Sequence, residues 1–127
     1  MKTKIEIKSV FGSVLFEFEK ENNSIKDTLI EAVNSGANLR GADLRGADLD
    51  EWGKLQSLSD IIIVGAIGSR NGYTTIFHTD KGVFVMCGCF KGTLDEFEAK
   101  VKETHKGNKH ERDYLALIQF AKVKFEL

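Results

Sequence analysis

The chain has 127 residues, which is the length of one domain that buries its own hydrophobic core. Its 18 Lys and Arg residues are balanced by 19 Asp and Glu residues, so the formal net charge of −1 excludes a general attraction to nucleic acid or to an anionic membrane. No apolar run has the length of a membrane span and the two closely spaced Cys residues do not suit a structural disulfide, so we expect a cytoplasmic protein.

The N-terminal part predicts a β-hairpin followed by a helix. Apolar residues alternate with charged ones over residues 3–19, around a central segment that can turn. Ser24 with Asp27 three residues later resembles a capping box, and Gly36 is placed to end the helix in a left-handed conformation. We therefore expect a helix of about three turns between them.

Residues 37–51 repeat a five-residue unit three times, as ANLRG, ADLRG and ADLDE. These units resemble pentapeptide repeats, in which the small residue and the Leu point into a narrow right-handed β-helix. The resemblance implies about four units per coil, so three units are less than a full coil. We expect a compact corner in which the leucines enter the core. A role in mimicking DNA needs more length and more negative charge than this segment has.

The second half predicts a central strand, a hairpin and two helices. Residues 60–67 form a nearly continuous apolar strand, which indicates burial on both faces. Residues 73–79 and 83–87 read as a hairpin around a tight turn. Thr93 with Glu96 opens one helix, and Asn108 opens the last.

This order of elements predicts the α+β fold class. We expect two β-hairpin-type units in an antiparallel sheet, a partial pentapeptide-repeat coil as a corner and two C-terminal helices. No linker-like stretch divides the chain, so the prediction is a single domain over residues 1–127.

A wider resemblance starts at Ile67, with the sequence IGSRNGYTTIFHTDKGVFVMCGCFKGTLDEFEAKVKETH. This segment is similar to the C-terminal domain of small phage and prophage proteins known only as pentapeptide-repeat-containing. Small phage proteins of this size include sponges that sequester nucleotide signals of bacterial immunity, such as cyclic ADP-ribose-type molecules. The resemblance implies a non-enzymatic protein without a cofactor that sequesters a small phosphorylated ligand in the host cytoplasm as an anti-defence sponge. It also leads us to expect a homo-oligomer.

Two glycine-rich loops carry the side chains expected to bind such a ligand. Arg70 in GSRNGY and Lys91 in GCFKGT would hold phosphate, and Tyr73 would stack on a base. Thr93 and the start of its helix add hydrogen-bond donors, and Trp52 offers a second ring for stacking. Strand pairing places both loops at the same end of the second hairpin. The predicted ligand-binding residues are Ser69, Arg70, Asn71, Tyr73, Lys91, Thr93 and Trp52.

Each of these residues also has a purely structural interpretation, and the sequence leaves both open. Asn71 with Gly72 suits a hairpin turn, Thr93 suits a helix cap, and Trp52 suits the edge of the core. An alternative function is a protein-interaction module, in which the repeat or the strand at residues 4–9 pairs with a host protein or another copy.

Metal and catalytic sites are less well supported by the sequence. Cys87 and Cys89 could face one side of a strand, but the second pair of ligands typical of zinc sites is missing, so we expect no metal. No catalytic motif is present, and we expect no enzyme. The least favoured alternative is a hydrolase of nucleotide signals with His78 or His105 as general base.

Overall fold

The computed structural model describes residues 1–67, 72–88 and 90–127. In chain order the elements are β1 (Lys2–Lys8), β2 (Val14–Glu21), α1 (Ile25–Asn34), two short 3-10 turns (Asp50–Trp52 and Leu58–Asp60), β3 (Ile61–Ile67), β4 (Gly72–Thr79), β5 (Gly82–Cys87), β6 (Phe90–Thr93), α2 (Leu94–Thr104) and α3 (Lys109–Lys124).

The strands form two antiparallel sheets, and the α+β class is confirmed. β1 and β2 make a two-stranded sheet, while the other four strands lie in the order β3-β4-β5-β6. The two hairpins lie in separate sheets and not in the single antiparallel sheet that was expected. The expectation of a loop at residues 90–93 was also wrong, because these residues form β6, which pairs with β5.

The three helices begin at the predicted caps, and α1 ends just before Gly36 as expected. The Ser24 side chain accepts a hydrogen bond from the backbone N–H of Asp27, and Gly36 follows α1 with a φ of 75°. Thr93 and Glu96 form the expected capping box. The Asn108 side chain accepts from two backbone N–H groups at the start of α3. Each cap satisfies donors that the first helical turn leaves free, worth about 1 kcal/mol.

Two hydrophobic cores lie on opposite faces of the four-stranded sheet. On β4, Phe77 enters the core shared with α1 and the repeat, called here the repeat-side core. Its neighbour Ile76 enters the core beneath α2 and α3, called here the helix-side core. β3 follows the same alternation, since Ile63 packs against the first core and Ile62 belongs to the second. Both faces of β3 are therefore packed against a core as predicted, but burial is incomplete on the repeat side, where Ile61 and Ile63 are only partly buried.

The repeat forms a compact coil that packs into the repeat-side core. Leu39, Leu44 and Leu49 are 2%, 6% and 0% exposed. In each unit the side-chain oxygen of the polar residue accepts a hydrogen bond from the backbone N–H two residues later. These bonds close the turns from within the repeat, while the leucines fix the coil to the core.

Segments on both sides complete the short coil. Ser9, just after β1, forms an antiparallel bridge with Ala42. Lys54 forms a second bridge with Asp48. Because neighbouring parts of the chain satisfy the backbone on both sides, three units are sufficient here without further coils.

Candidate functional site

The three predicted ligand-binding residues at the start of the first loop lie outside the described residues. They are Ser69, Arg70 and Asn71. Their roles stay predictions, and the site below is built from residues that the structure places.

Tyr73 lies on β4 and faces the repeat. Gly65 of β3 lies against its ring, and a Cβ atom on Gly65 would lie only 2.5 Å from Tyr73 Cε1. The Arg40 guanidinium lies over the same ring, 5.6 Å from its centroid. Tyr73 is therefore held between strand β3 and the first repeat unit, and its ring already makes a cation–π contact.

Lys91 and Thr93 lie on β6, not on a loop. Lys91 pairs with Met86, and Thr93 pairs with Phe84. Tyr73 is next to Thr74, whose partner is Cys87 at the other end of β5. The three residues from Cys87 to Phe84 correspond to about 10 Å of strand. The structure therefore does not bring Thr93 close to Tyr73.

The start of α2 is already occupied by the chain's own side chains. Glu96 accepts a hydrogen bond from the backbone N–H of Thr93 at 2.8 Å, and the Thr93 hydroxyl accepts from the N–H of Glu96 at 3.1 Å. A phosphate at this helix terminus would have to displace the Glu96 carboxylate. Thr93 is therefore a helix cap, which is the structural interpretation that the sequence left open beside ligand binding.

Trp52 is a core residue, and only 8% of its surface is exposed. Its ring stacks on Phe84 with 4.8 Å between centroids and contacts Phe77 at 6.4 Å. The Lys26 ammonium lies 4.5 Å from the ring centroid. The backbone carbonyl of Trp52 accepts a hydrogen bond from the Thr79 hydroxyl. With its ring packed in this way, Trp52 is not placed to stack on a ligand.

Arg40 is the residue that sequence reasoning missed. Its Nε donates to Asn38 Oδ1 at 3.2 Å, and it has no carboxylate partner among the residues that the structure describes. Arg45, at the same place in the next unit, instead holds Asp43 with two bonds of 2.8 and 2.7 Å. The sequence contains the difference that leaves Arg40 without a carboxylate, since the first unit carries Asn38 where the second carries Asp43.

The two arginines consequently differ in their electrostatics. Hydrogen bonding by Arg45 holds the pKa of the Asp43 carboxyl below its ordinary value, and the same bonds raise the pKa of Arg45. Asn38 is neutral and compensates no charge. Arg40 is exposed, and its terminal nitrogens can donate hydrogen bonds to another acceptor.

Arg40 lines an open groove of about 330 Å³. The groove lies between the turn after β1, the first repeat unit and the outer strand β3. Its lining residues are Val10, Arg40, Gly41, Ala42, Ile61 and Ile63. Tyr73 borders a neighbouring cavity of about 180 Å³, so the contact between Arg40 and Tyr73 separates two recesses. This arrangement combines one charged fork, one aromatic ring and an apolar floor.

The thiols and imidazoles form no metal centre in the described part of the chain. No group of three or more His, Cys, Asp or Glu side chains there could hold a metal ion. Cys87 is buried and accepts a hydrogen bond from the Thr74 hydroxyl at 3.3 Å, while Cys89 lies outside the described residues.

The two histidines considered as general bases are both packed against aromatic rings. His78 Nδ1 is 3.7 Å from the Asp60 carboxylate, and its ring packs on Phe125. His105 stacks with Tyr114 at 5.7 Å. Neither residue lines the groove beside Arg40.

Comparison with known proteins gives one match. Residues 28–51, which are 24 of the 127 residues, match the family profile described as "Pentapeptide repeats (8 copies)". The matched segment runs from within α1 to the first 3-10 turn. The chain therefore contains a pentapeptide-repeat segment, and the match supports a structural or protein-interaction module. Searches of curated proteins and of solved structures found no match.

Among the described residues, no helix is both long enough and apolar enough to span a membrane.

Proposed function

We propose that this protein is a non-enzymatic binding protein for a small phosphorylated ligand. One observation supports this most directly: the Arg40 guanidinium lies over the Tyr73 ring at an open groove and lacks a compensating carboxylate among the described residues. An arginine fork suits the oxygens of a phosphate, since it donates two parallel hydrogen bonds to them.

The groove favours a nucleotide-like ligand over a free inorganic ion. Val10, Ile61 and Ile63 provide an apolar floor beside the arginine, and a planar base can stack on a guanidinium. Arg40 would hold the phosphate, and the Arg40–Tyr73 cation–π pair would face the base. The sequence resembles small phage proteins that contain pentapeptide repeats, and small phage proteins of this size include sponges for nucleotide immune signals, which is the reason for proposing this ligand class. On that basis the protein would retain its ligand without converting it.

The proposed site keeps Tyr73 from the sequence prediction and adds Arg40. Arg70 remains a proposed second phosphate contact on the strength of the sequence alone. Lys91 is exposed on β6, two strands away from Tyr73, and Thr93 caps a helix. We therefore leave both residues out of the proposed site.

The repeat supports a second candidate function, the protein-interaction module. The supporting observation is the family match over residues 28–51. In that case Arg40 would contact an acidic group on a protein.

Calorimetric titration against linear nucleotides, cyclic nucleotides and ADP-ribose derivatives tests the proposal. We expect one of them to bind without being consumed, and Arg40→Ala to weaken binding by roughly ten- to a hundredfold, as for loss of one charge-assisted contact. Arg45→Ala is the matched control, since Arg45 occupies the same position in the next unit but is paired with Asp43. Binding that is equally weak in both variants, or absent throughout the panel, would refute the proposed site.

A further inference from the structure

Strand β3 lies at one edge of the four-stranded sheet, and its register against β4 is regular from Ile61 to Val64 and shifts between Val64 and Ile67. Within the described part of the chain it pairs with β4 alone. Its seven residues, IIIVGAI, include no charged residue and no Pro. Natural edge strands are usually short, charged or interrupted by Pro, because open N–H and C=O groups recruit other strands.

The other described strands that have an open edge, which are β1, β2 and β6, carry charged residues. β6, at the opposite edge, has four residues and carries the exposed Lys91. β1 and β2 both alternate apolar residues with charged ones. Among the six described strands, β3 is therefore the one whose edge can pair with an identical strand without placing like charges opposite each other.

The surface beside β3 is apolar and incompletely covered. Ile61 and Ile63 are only partly buried, and both line the groove together with Val10. Val10 is 41% exposed, and Phe11 beside it is 92% exposed. Covering these side chains would remove further apolar surface from water, which favours association.

We propose that a second copy of this chain docks here, with β3 pairing antiparallel to β3 across a two-fold axis. An axis perpendicular to the sheet keeps each face of the sheet on the same side in both copies. Ile61 and Ile63 then adjoin their counterparts on the repeat side, and Ile62 and Val64 adjoin theirs on the helix side. The result is an isologous interface that joins two four-stranded sheets into one.

The pairing uses the backbone and the apolar side chains of β3. Two of these side chains, Ile61 and Ile63, also line the groove of the proposed ligand site, but the pairing does not require Arg40. Loss of ligand binding in Arg40→Ala and loss of dimerisation can therefore be observed separately.

The other exposed apolar surface provides the contrast. On α3, Phe120 and Val123 are 55% and 68% exposed. This helix face has no unpaired backbone groups along it, because its hydrogen bonds are made within the helix. It serves as the comparison surface in the experiment.

The experiment combines light scattering after size-exclusion chromatography with hydrogen exchange of the wild-type protein at low and high concentration. We expect a dimer whose β3 amides gain protection as the concentration rises. Ile63→Lys should raise the dissociation constant about tenfold or more, because it places two lysines at the pairing edge. Phe120→Lys, the matched control on α3, should leave the dimer intact.

Three results would overturn the proposal. The first is a monomer at every concentration, and the second is a dimer whose protection appears on α3 or β6 and not on β3. The third is dissociation by Phe120→Lys combined with an unchanged dimer in Ile63→Lys. Circular dichroism confirms that each variant is folded, and the wild-type exchange measurement decides the question even if Ile63→Lys does not fold.

Discussion

The Tyr73 ring lies against Gly65 of the neighbouring strand so closely that a Cβ atom on Gly65 would be 2.5 Å from Tyr73 Cε1. The aromatic ring is rigid, so its atoms cannot move away from a new Cβ atom as the end of a flexible side chain can. The glycine therefore determines where the tyrosine sits, and through the tyrosine it determines what Arg40 stacks on.

Gly65→Ala should consequently disturb the site and destabilise the fold. We expect a loss of about 1–3 kcal/mol, the range for overpacking a well-fitted position, and a weaker contact between Tyr73 and Arg40. Chemical denaturation measures the first effect. In a Tyr73→Ala background the same substitution should cost little, and equal costs in both backgrounds would show that the ring is not the obstacle.

The buried leucines of the repeat should contribute more to stability than its polar residues. Leu44→Ala is expected to cost about 2–5 kcal/mol, as for other buried leucines, because this side chain is only 6% exposed. Asp43→Asn should cost much less, since Asn keeps the acceptor that closes the turn. Thermal and urea unfolding of both variants provides the comparison, and similar losses would contradict a structural role for the leucines.

Neutralising Arg40 from within the repeat should weaken ligand binding. Asn38→Asp reproduces in the first unit the pair that Asp43 and Arg45 make in the second. The new carboxylate would compete with phosphate for the guanidinium, so we expect a loss of about tenfold in affinity for the nucleotide identified by titration. Asp43→Asn, which frees Arg45, is the reciprocal control and should leave the affinity at the groove unchanged. An unaltered affinity in Asn38→Asp would argue against a phosphate contact by Arg40.

The ion pairs between α2 and α3 should make stability depend on pH in the acid range. Glu98 contacts Lys102 at 3.0 Å and Lys122 of α3 at 3.1 Å. These hydrogen bonds hold the pKa of the Glu98 carboxyl below its ordinary value, with Lys102 as the larger cause. A pKa lowered by folding stabilises the folded state above the unfolded pKa, and this stabilisation is lost as the pH falls through the folded pKa.

Glu98→Gln should therefore lower the melting temperature slightly at neutral pH and have no effect at a pH well below the ordinary Glu pKa. Melting curves from neutral pH into the acid range measure both limits. Glu103→Gln is the control, because Glu103 makes only a 4.0 Å contact with Lys100 within α2. A constant difference between wild type and Glu98→Gln at all pH values would contradict the assignment.

Features defined by neighbouring residues could be predicted from the sequence. The caps at Ser24, Thr93 and Asn108 depend on a side chain reaching backbone groups two or three residues away, and all three are present. The hairpin between β4 and β5 depends on a tight turn and alternating apolar residues, and it too is present.

Features that depend on distant parts of the chain could not be predicted in the same way. β6 has four residues, one of them Gly, and becomes a strand only because β5 provides a partner. Arg40 gains its significance from Tyr73, which is 33 positions away in sequence and meets it only after folding. Trp52 is a similar case. The sequence alone makes it a candidate for stacking on a ligand, whereas in the folded protein its ring packs on Phe84.

The bridges from Ser9 and Lys54 to the repeat have a consequence for how this protein can change over evolution. Both open sides of the coil are already paired, so an additional five-residue unit would have to displace either the end of β1 or the segment around Lys54. Long pentapeptide-repeat rods can grow by duplication, whereas this coil has no free end at which to grow. Its length is limited by its neighbours. At the outward-facing position Asn38, a single exchange between Asn and Asp would still change the charge available at the groove.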